Sequence, residues 1–337
     1  MDLRTRYLGL ELRSPLIASA GPLTSTADGV RRLAEAGVGA VVLPSLFEEQ
    51  LWHAASRDSW LALAGTDSFA EALSYRPDAG YEAWPHQYLH LITEAVRAAG
   101  PAVPVIASLN GVSPGGWTSY ATAMQEAGAA AIELNIYYLP GDPLIPARDA
   151  ERRYTEILLA VKAAVRIPVA VKIGPYFSSP GEMATVLDQA GADGLVLFNR
   201  FMQTDIDPET FTVSTGFRLS VPGEAALPRS WIRLLHGKVR CSLAATTGVE
   251  TWTDVAAYLL AGADAVMTTS ALLRHGPGYA TELINGLAVW MHRKGFTSVA
   301  SLQGLLSDEA DLTAGRSGYL SAIEQATHTY GGLGVLS

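Results

Sequence analysis

The stretch Ala127-Gly128-Ala129-Ala130-Ala131-Ile132-Glu133-Leu134-Asn135 decides the fold, because the chain uses its plan repeatedly. An alanine and a glycine close a helix, and a short apolar run follows within a few residues. The same order occurs at Ala36-Gly37 before Ala40-Val41-Val42-Leu43, at Ala190-Gly191 before Gly194-Leu195-Val196-Leu197-Phe198, and at Ala261-Gly262 before Ala265-Val266-Met267-Thr268. Glycine suits the left-handed residue that ends a helix because it carries no Cβ. Each run after it is short and continuously apolar, the pattern of a parallel strand covered on both faces.

Further runs of this kind are Pro15-Leu16-Ile17-Ala18-Ser19, Val103-Pro104-Val105-Ile106-Ala107-Ser108, Pro168-Val169-Ala170-Val171-Lys172-Ile173 and Val239-Arg240-Cys241-Ser242-Leu243-Ala244, which makes eight in all. Helical segments at 26–36, 85–99, 114–127, 150–164, 180–190, 230–235, 250–261 and 278–294 fill the gaps. Strict strand–helix alternation predicts an α/β fold, a (β/α)8 TIM barrel, in preference to a doubly wound sheet. Two connections are longer than ordinary turns, 44–84 after strand two and 199–228 after strand six, and both fall on the face where barrels carry their chemistry. The first holds Trp52, Trp60, Tyr75, Tyr81 and Trp84, material for a lid or for a packed excursion. Residues 1–306 are expected to form a single barrel and residues 307–337 an extension.

Composition removes several function classes. The one cysteine, Cys241, rules out an internal disulfide, a thiolate zinc site and an iron–sulfur cluster. Its position inside the seventh run predicts a buried, inert thiol. Charged residues are 17%, below the roughly 25% of an average soluble domain, so an apolar core must hold the chain. A net charge of −9 argues against a nucleic-acid surface. No stretch approaches the ~18 apolar residues of a membrane span, and the first residues have no apolar targeting core. The expectation is a cytoplasmic protein with no membrane partner. His86 and His90 lie four apart without a third ligand at useful spacing, so no metal site is expected.

In a barrel, chemistry projects from the C-terminal strand ends. Here those ends read Ser19-Ala20-Gly21, Pro44-Ser45, Ser108-Leu109-Asn110-Gly111, Glu133-Leu134-Asn135, Lys172, Asn199-Arg200, Ala245-Thr246-Thr247-Gly248 and Thr269-Ser270. The set is rich in hydrogen-bond donors and poor in bases. Lys172 is one of four lysines and the only one ending an apolar strand, where an unpaired ammonium is penalised. It needs a negative partner: Glu133 inside the barrel, a bound anion or electron-rich cofactor, or a role as a Schiff-base amine. The ends of strands seven and eight stand where barrels often hold a phosphate, although hydroxyls there also serve as helix caps.

Taken in order, the strand ends resemble the class 1 dihydroorotate dehydrogenases, over roughly residues 5 to 306. The resemblance rests on Ser14-Pro15-Leu16-Ile17-Ala18-Ser19-Ala20-Gly21, Ile132-Glu133-Leu134-Asn135, Val171-Lys172-Ile173-Gly174-Pro175-Tyr176, Thr247-Gly248-Val249-Glu250-Thr251, Thr269-Ser270-Ala271-Leu272-Leu273-Arg274-His275-Gly276-Pro277 and Lys294-Gly295-Phe296-Thr297-Ser298-Val299-Ala300. It implies a flavin-dependent barrel carrying FMN, an electron acceptor that the motifs do not name, a place in pyrimidine biosynthesis and a homodimer. By residue-wise carry-over, Ser19, Ala20 and Gly21 line the isoalloxazine, with Ser45, Asn110, Asn135 and Lys172 around its polar edge. Gly216, Thr246, Thr247, Gly248, Thr269 and Ser270 surround the phosphate.

The substrate half departs from the pattern. After Glu133-Leu134-Asn135 the chain reads Ile136-Tyr137-Tyr138-Leu139-Pro140-Gly141-Asp142-Pro143, which puts Tyr138 where class 1 enzymes carry the catalytic cysteine. The serine of the membrane-associated class is absent as well. Pro44 stands at the family's lysine after strand two, and Ser74-Tyr75-Arg76-Pro77-Asp78-Ala79-Gly80 replaces an Asn-rich substrate loop. Asn199-Arg200 keeps an amide and adds a guanidinium that can grip a carboxylate or face a phosphate. The expected function is an FMN-dependent oxidoreductase acting on CH-CH donors. Lys172 stabilises reduced flavin, Asn135, Asn199 and Arg200 bind a small polar or anionic substrate, and Tyr138 is the candidate acid. True dihydroorotate oxidation, a Schiff-base aldolase on Lys172 and a non-catalytic flavin-binding subunit are the alternatives.

Overall fold

The computed structural model describes residues 1–51, 84–113, 115, 118–138, 141–200, 204–215, 218–307 and 312–330. Valine, leucine, isoleucine and alanine fill the eight runs on both faces, and the strands close on themselves. In chain order the elements are β1 (Thr5–Tyr7), β2 (Leu10–Leu12), β3 (Leu16–Ala18), α1 (Ala27–Glu35), β4 (Ala40–Phe47), α2 (Trp84–Ala99), β5 (Val105–Asn110), α3 (Thr118–Glu126), β6 (Ala131–Asn135), α4 (Ala147–Ala164), β7 (Val169–Ile173) and α5 (Pro180–Gln189). They continue as β8 (Gly194–Leu197), β9 (Thr204–Asp207), β10 (Thr212–Thr215), α6 (Ala226–Leu235), β11 (Ser242–Ala245), α7 (Trp252–Ala261), β12 (Ala265–Thr268), α8 (Ser270–His275), α9 (Tyr279–Lys294) and α10 (Leu312–Tyr330). Parallel pairing runs β3-β4-β5-β6-β7-β8-β11-β12 and returns to β3, which is the expected (β/α)8 barrel.

Two apolar layers hold it. One lies between strands and helices, with Val41, Leu43, Ile132, Leu134, Val171 and Leu195 facing outward onto Leu33, Ile92, Ile157 and Leu187. The other fills the barrel interior, where Tyr7, Leu8 and Leu12 from the β1–β2 hairpin plug the floor against Ile17, Val42, Ile106, Val196 and Met267. Polar side chains are thereby confined to the upper interior, at the C-terminal strand ends.

Several boundaries differ from the sequence reading. Strand two runs on to Phe47, with a register shift between Val42 and Ser45. Pro44 lies inside that shift and has no N–H to give the ladder, so the strand bulges and then resumes. Helix α6 starts at Ala226, before Pro228, because proline in a first turn sacrifices no hydrogen bond. Strand β11 begins at Ser242, so Cys241 precedes the strand instead of lying within it. Its backbone N–H donates to Asp188 Oδ1 at 2.9 Å. Burial and that carboxylate push the half-buried thiol up to about 12.

The connection after β8 carries an exposed β9–β10 hairpin, and the connection after β4 lies mostly in 52–83, outside the described residues, so the lid expectation falls there too. Residues up to Ser307 are tied to α7, with Gly304 N–H donating to Leu259 O and Leu306 N–H to Leu260 O, each at 2.9 Å. Beyond them α10 presents Tyr319, Leu320 and Ile323 to solvent. Among the described residues no helix is long and apolar enough to cross a membrane, and no group of three His, Cys, Asp or Glu could hold a metal. His86 and His90 lie exposed on α2.

Candidate active site

A cavity of about 480 Å³ opens at the C-terminal ends of the strands, within the roughly 300–1,000 Å³ of small-molecule sites. Ser19, Ala20, Gly21, Ser45, Asn135, Lys172, Asn199, Arg200, Thr246, Thr247, Thr269 and Ser270 line it. Parallel strands of similar length end at one level, so their last side chains meet around one mouth.

Gly21 makes a close approach to Thr269. Its backbone is extended (φ 171°), so space rather than conformation requires glycine. A Cβ there would fall 2.5 Å from Thr269 Cγ2. Thr269 Oγ1 donates to Ser19 O at 3.0 Å and fixes the turn that bears Ala20 and Gly21. Across the cavity Ser45 and Ser108 hydroxyls share a 2.8 Å hydrogen bond. Thr247 has a φ of 82°, a strained backbone for a residue with a branched side chain, and its hydroxyl donates to Phe198 O at 3.2 Å.

Lys172 has the Glu133 partner that the sequence offered, with its Nζ 3.2 Å from Glu133 Oε1, and it stands at the cavity as well. Glu133 sits below it in the barrel, 1% exposed, and its Oε2 has no hydrogen-bond partner among the described residues. Asn199 Nδ2 donates to Asn135 Oδ1 at 2.6 Å, so the two amides act as one polar surface beside the lysine.

Arg200 is already engaged. Its Nε and Nη2 reach Glu224 Oε1 at 3.1 and 3.0 Å, and Nη1 donates to Arg218 O at 2.5 Å. This places the guanidinium at the Ser220–Ser270 end of the cavity, where the Ser220 hydroxyl donates to Ser270 Oγ at 3.0 Å. Asn110 is buried beside Asn135 in register and does not line the cavity. Gly248 (φ 73°) packs on Ala225, which a Cβ would meet at 2.5 Å. Gly216 lies outside the described residues.

Tyr138 lines a smaller pocket of about 70 Å³ with Tyr154, Tyr176, Phe177 and Glu151, next to the cavity instead of within it. The Arg153 guanidinium stacks 4.2 Å above its ring. Burial, with some help from Tyr138, pushes Tyr154 up to about 12. Sequence reasoning missed Phe47, Gln50, Phe198 and Ser220, which also line the cavity. Phe47 and Gln50 become visible only if strand two is continued past Pro44, since Phe47 N–H donates to Gln50 Oε1 at 2.8 Å in the turn that follows.

The donor set suits a flavin: a slot kept open at Gly21, a lysine and two amides for a polar edge, and hydroxyls at the ends of β11 and β12 for a phosphate. The fold and cavity together define a parallel-barrel enzyme working on small molecules at its strand C-termini. The family model for dihydroorotate dehydrogenase matches residues 2–291, and the chain belongs to that family, flavoprotein oxidoreductases acting on CH-CH donors. The catalytic subunit of dihydroorotate dehydrogenase B (NAD(+)) from Methanothermobacter thermautotrophicus is 30% identical over 313 residues, covering 91% of this chain and 99% of the relative. A putative dihydroorotate dehydrogenase A (fumarate) from Aeropyrum pernix is 30% identical over 275 residues, 74% of this chain and 88% of that protein. The corresponding B-type catalytic subunit of Pyrococcus furiosus is 26% identical over 310 residues.

Proposed function

We propose that this chain is an FMN-dependent oxidoreductase for a small polar or anionic substrate, and that the substrate need not be dihydroorotate. The observation that carries this reading is the grouping of Lys172, Asn135 and Asn199 on one wall of a cavity kept open at Gly21. FMN, when bound, would supply two-electron redox chemistry, as a hydride acceptor or donor for the substrate. Ser19, Ala20 and Gly21 hold its ring, Ser45, Asn135 and Lys172 meet its polar edge, and Thr246, Thr247, Thr269 and Ser270 take its phosphate. Asn110 and Gly248 support these residues from behind.

The Lys172 ammonium stabilises the negative charge that reduction creates, in a site whose low dielectric strengthens such contacts. Asn135 and Asn199 orient the substrate through amides already locked to each other. Arg200 grips an anionic group only by releasing Glu224. Proton transfer is assigned to Tyr138, which must turn from under Arg153 into the main cavity to act. An ammonium held in an ion pair is a poor nucleophile, which disfavours the aldolase reading.

Dihydroorotate oxidation is the second reading, favoured by the names of the relatives, which carry two different acceptors, NAD(+) and fumarate. The first test is FMN itself. The purified protein should be yellow, or the colourless chain should quench FMN fluorescence stoichiometrically; a colourless chain that cannot be reconstituted overturns the proposal. With FMN loaded, dihydroorotate is offered with fumarate, NAD(+) or a dye. Turnover that disappears in Tyr138→Phe supports the second reading, and no turnover removes it.

A further inference from the structure

Glu133 is a buried carboxylate of the upper barrel interior to which the proposed function gives no role. It faces inward from β6, two residues before Asn135, and its neighbours in register are Ser108 on β5 and Ala170 on β7. At 1% exposure it makes a single polar contact among the described residues, the 3.2 Å pair with Lys172, and Oε2 is left without a partner.

A half-satisfied carboxylate is a poor device for stability. Taking two charges out of water typically offsets the attraction between them, and an apolar pair of similar size packs as well. Ala131 and Ala170 beside it show that this interior accepts apolar residues. The geometry has a different use. Lys172 is bracketed, with Glu133 beneath it and the cavity above it. Any charge that Glu133 removes from Lys172 is charge withheld from whatever occupies the cavity.

We infer that Glu133 is a positioning residue that partitions the Lys172 ammonium between the barrel interior and the bound cofactor, so that the pair, not Lys172 alone, sets how readily the flavin accepts electrons. This rests on the FMN reading. With Glu133 as partner, the positive charge facing reduced flavin is partly neutralised and the potential is held down. Replacing the carboxylate by its isosteric amide leaves Lys172 unopposed and favours the reduced form.

The test is the reduction potential of FMN-loaded protein, read by equilibration with a reference dye, in wild type, Glu133→Gln, Lys172→Met and the double variant. Glu133→Gln is expected to raise the reduced-to-oxidised ratio at fixed dye potential about tenfold, equivalent to roughly 30 mV for a two-electron couple. Lys172→Met lowers the ratio, and the double variant matches Lys172→Met because Glu133 acts through the lysine. If Glu133→Gln fails to fold, Glu133→Asp, which draws the charge back by one methylene, is expected to shift the potential in the same direction by less. An unchanged potential in the carboxylate variant, or additive effects in the double variant, overturns the inference while FMN binding stands. A wild-type chain that takes up no FMN overturns both.

Discussion

At Gly21 and Cys241 single atoms decide an outcome. An alanine at position 21 would set its Cβ 2.5 Å from Thr269 Cγ2 and press on the wall assigned to the flavin. Gly21→Ala is therefore expected to lower stability by about 1–3 kcal/mol and weaken FMN binding at least tenfold, measured by thermal melting and fluorescence titration. Both values unchanged would refute a packing role. Cys241, with its thiol pushed up to about 12, should be alkylated by iodoacetamide at pH 8 far more slowly when folded than in urea. The sign of its pH effect follows from the unfolded value of about 8.5. Above that pH the unfolded chain gives up the proton that the folded chain keeps, so this contribution to stability falls as pH rises from about 9 to about 12. The urea midpoint of wild type should drop more between pH 7 and pH 10 than that of Cys241→Ala; equal drops would show that the thiol does not contribute.

Helix packing sets what an element tolerates, and Gly286 in α9 shows the conflict. Alanine in a helix interior normally gains up to ~1 kcal/mol over glycine. Here a Cβ would meet Trp252 Cδ1 and Cγ on α7 at 2.4 and 2.6 Å. Gly286→Ala is expected to reverse the propensity gain and lower Tm by a few degrees, whereas Gly286→Ala with Trp252→Leu should recover much of the loss. A stabilised single variant would contradict the close α7–α9 contact. Element type was legible in the sequence because Ala-Gly helix ends alternate with continuously apolar runs, and strand ends then predicted thirteen of the cavity's lining residues. The resumption of β4 after Pro44 was hidden because proline reads as a strand breaker. The placement of Tyr138 was not legible for another reason: once the chain leaves β6, the loop and the Arg153 stack decide where the ring points, and no periodicity encodes that.

For the whole molecule, the question is which part of the chain the site depends on. The hairpin β1–β2 closes the barrel floor, the helices cover its wall, and Arg233 Nε donating to Leu306 O at 2.7 Å fastens the chain just before residue 307. Past that point α10 leaves Tyr319 70% exposed, and none of its described residues lines the cavity. A chain ending at Ser307 should therefore fold and keep its cofactor site. Ligand that binds only the folded state stabilises it by RT ln(1 + [L]/Kd), about 2.7 kcal/mol at a hundredfold excess over Kd. Melting full-length and truncated chains at FMN concentrations matched to their own Kd should give equal rises in Tm and equal Kd values. A truncated chain that folds but binds FMN ten times more weakly would place part of the site's support in residues 308–337, and the boundary drawn at the end of the barrel would have to move.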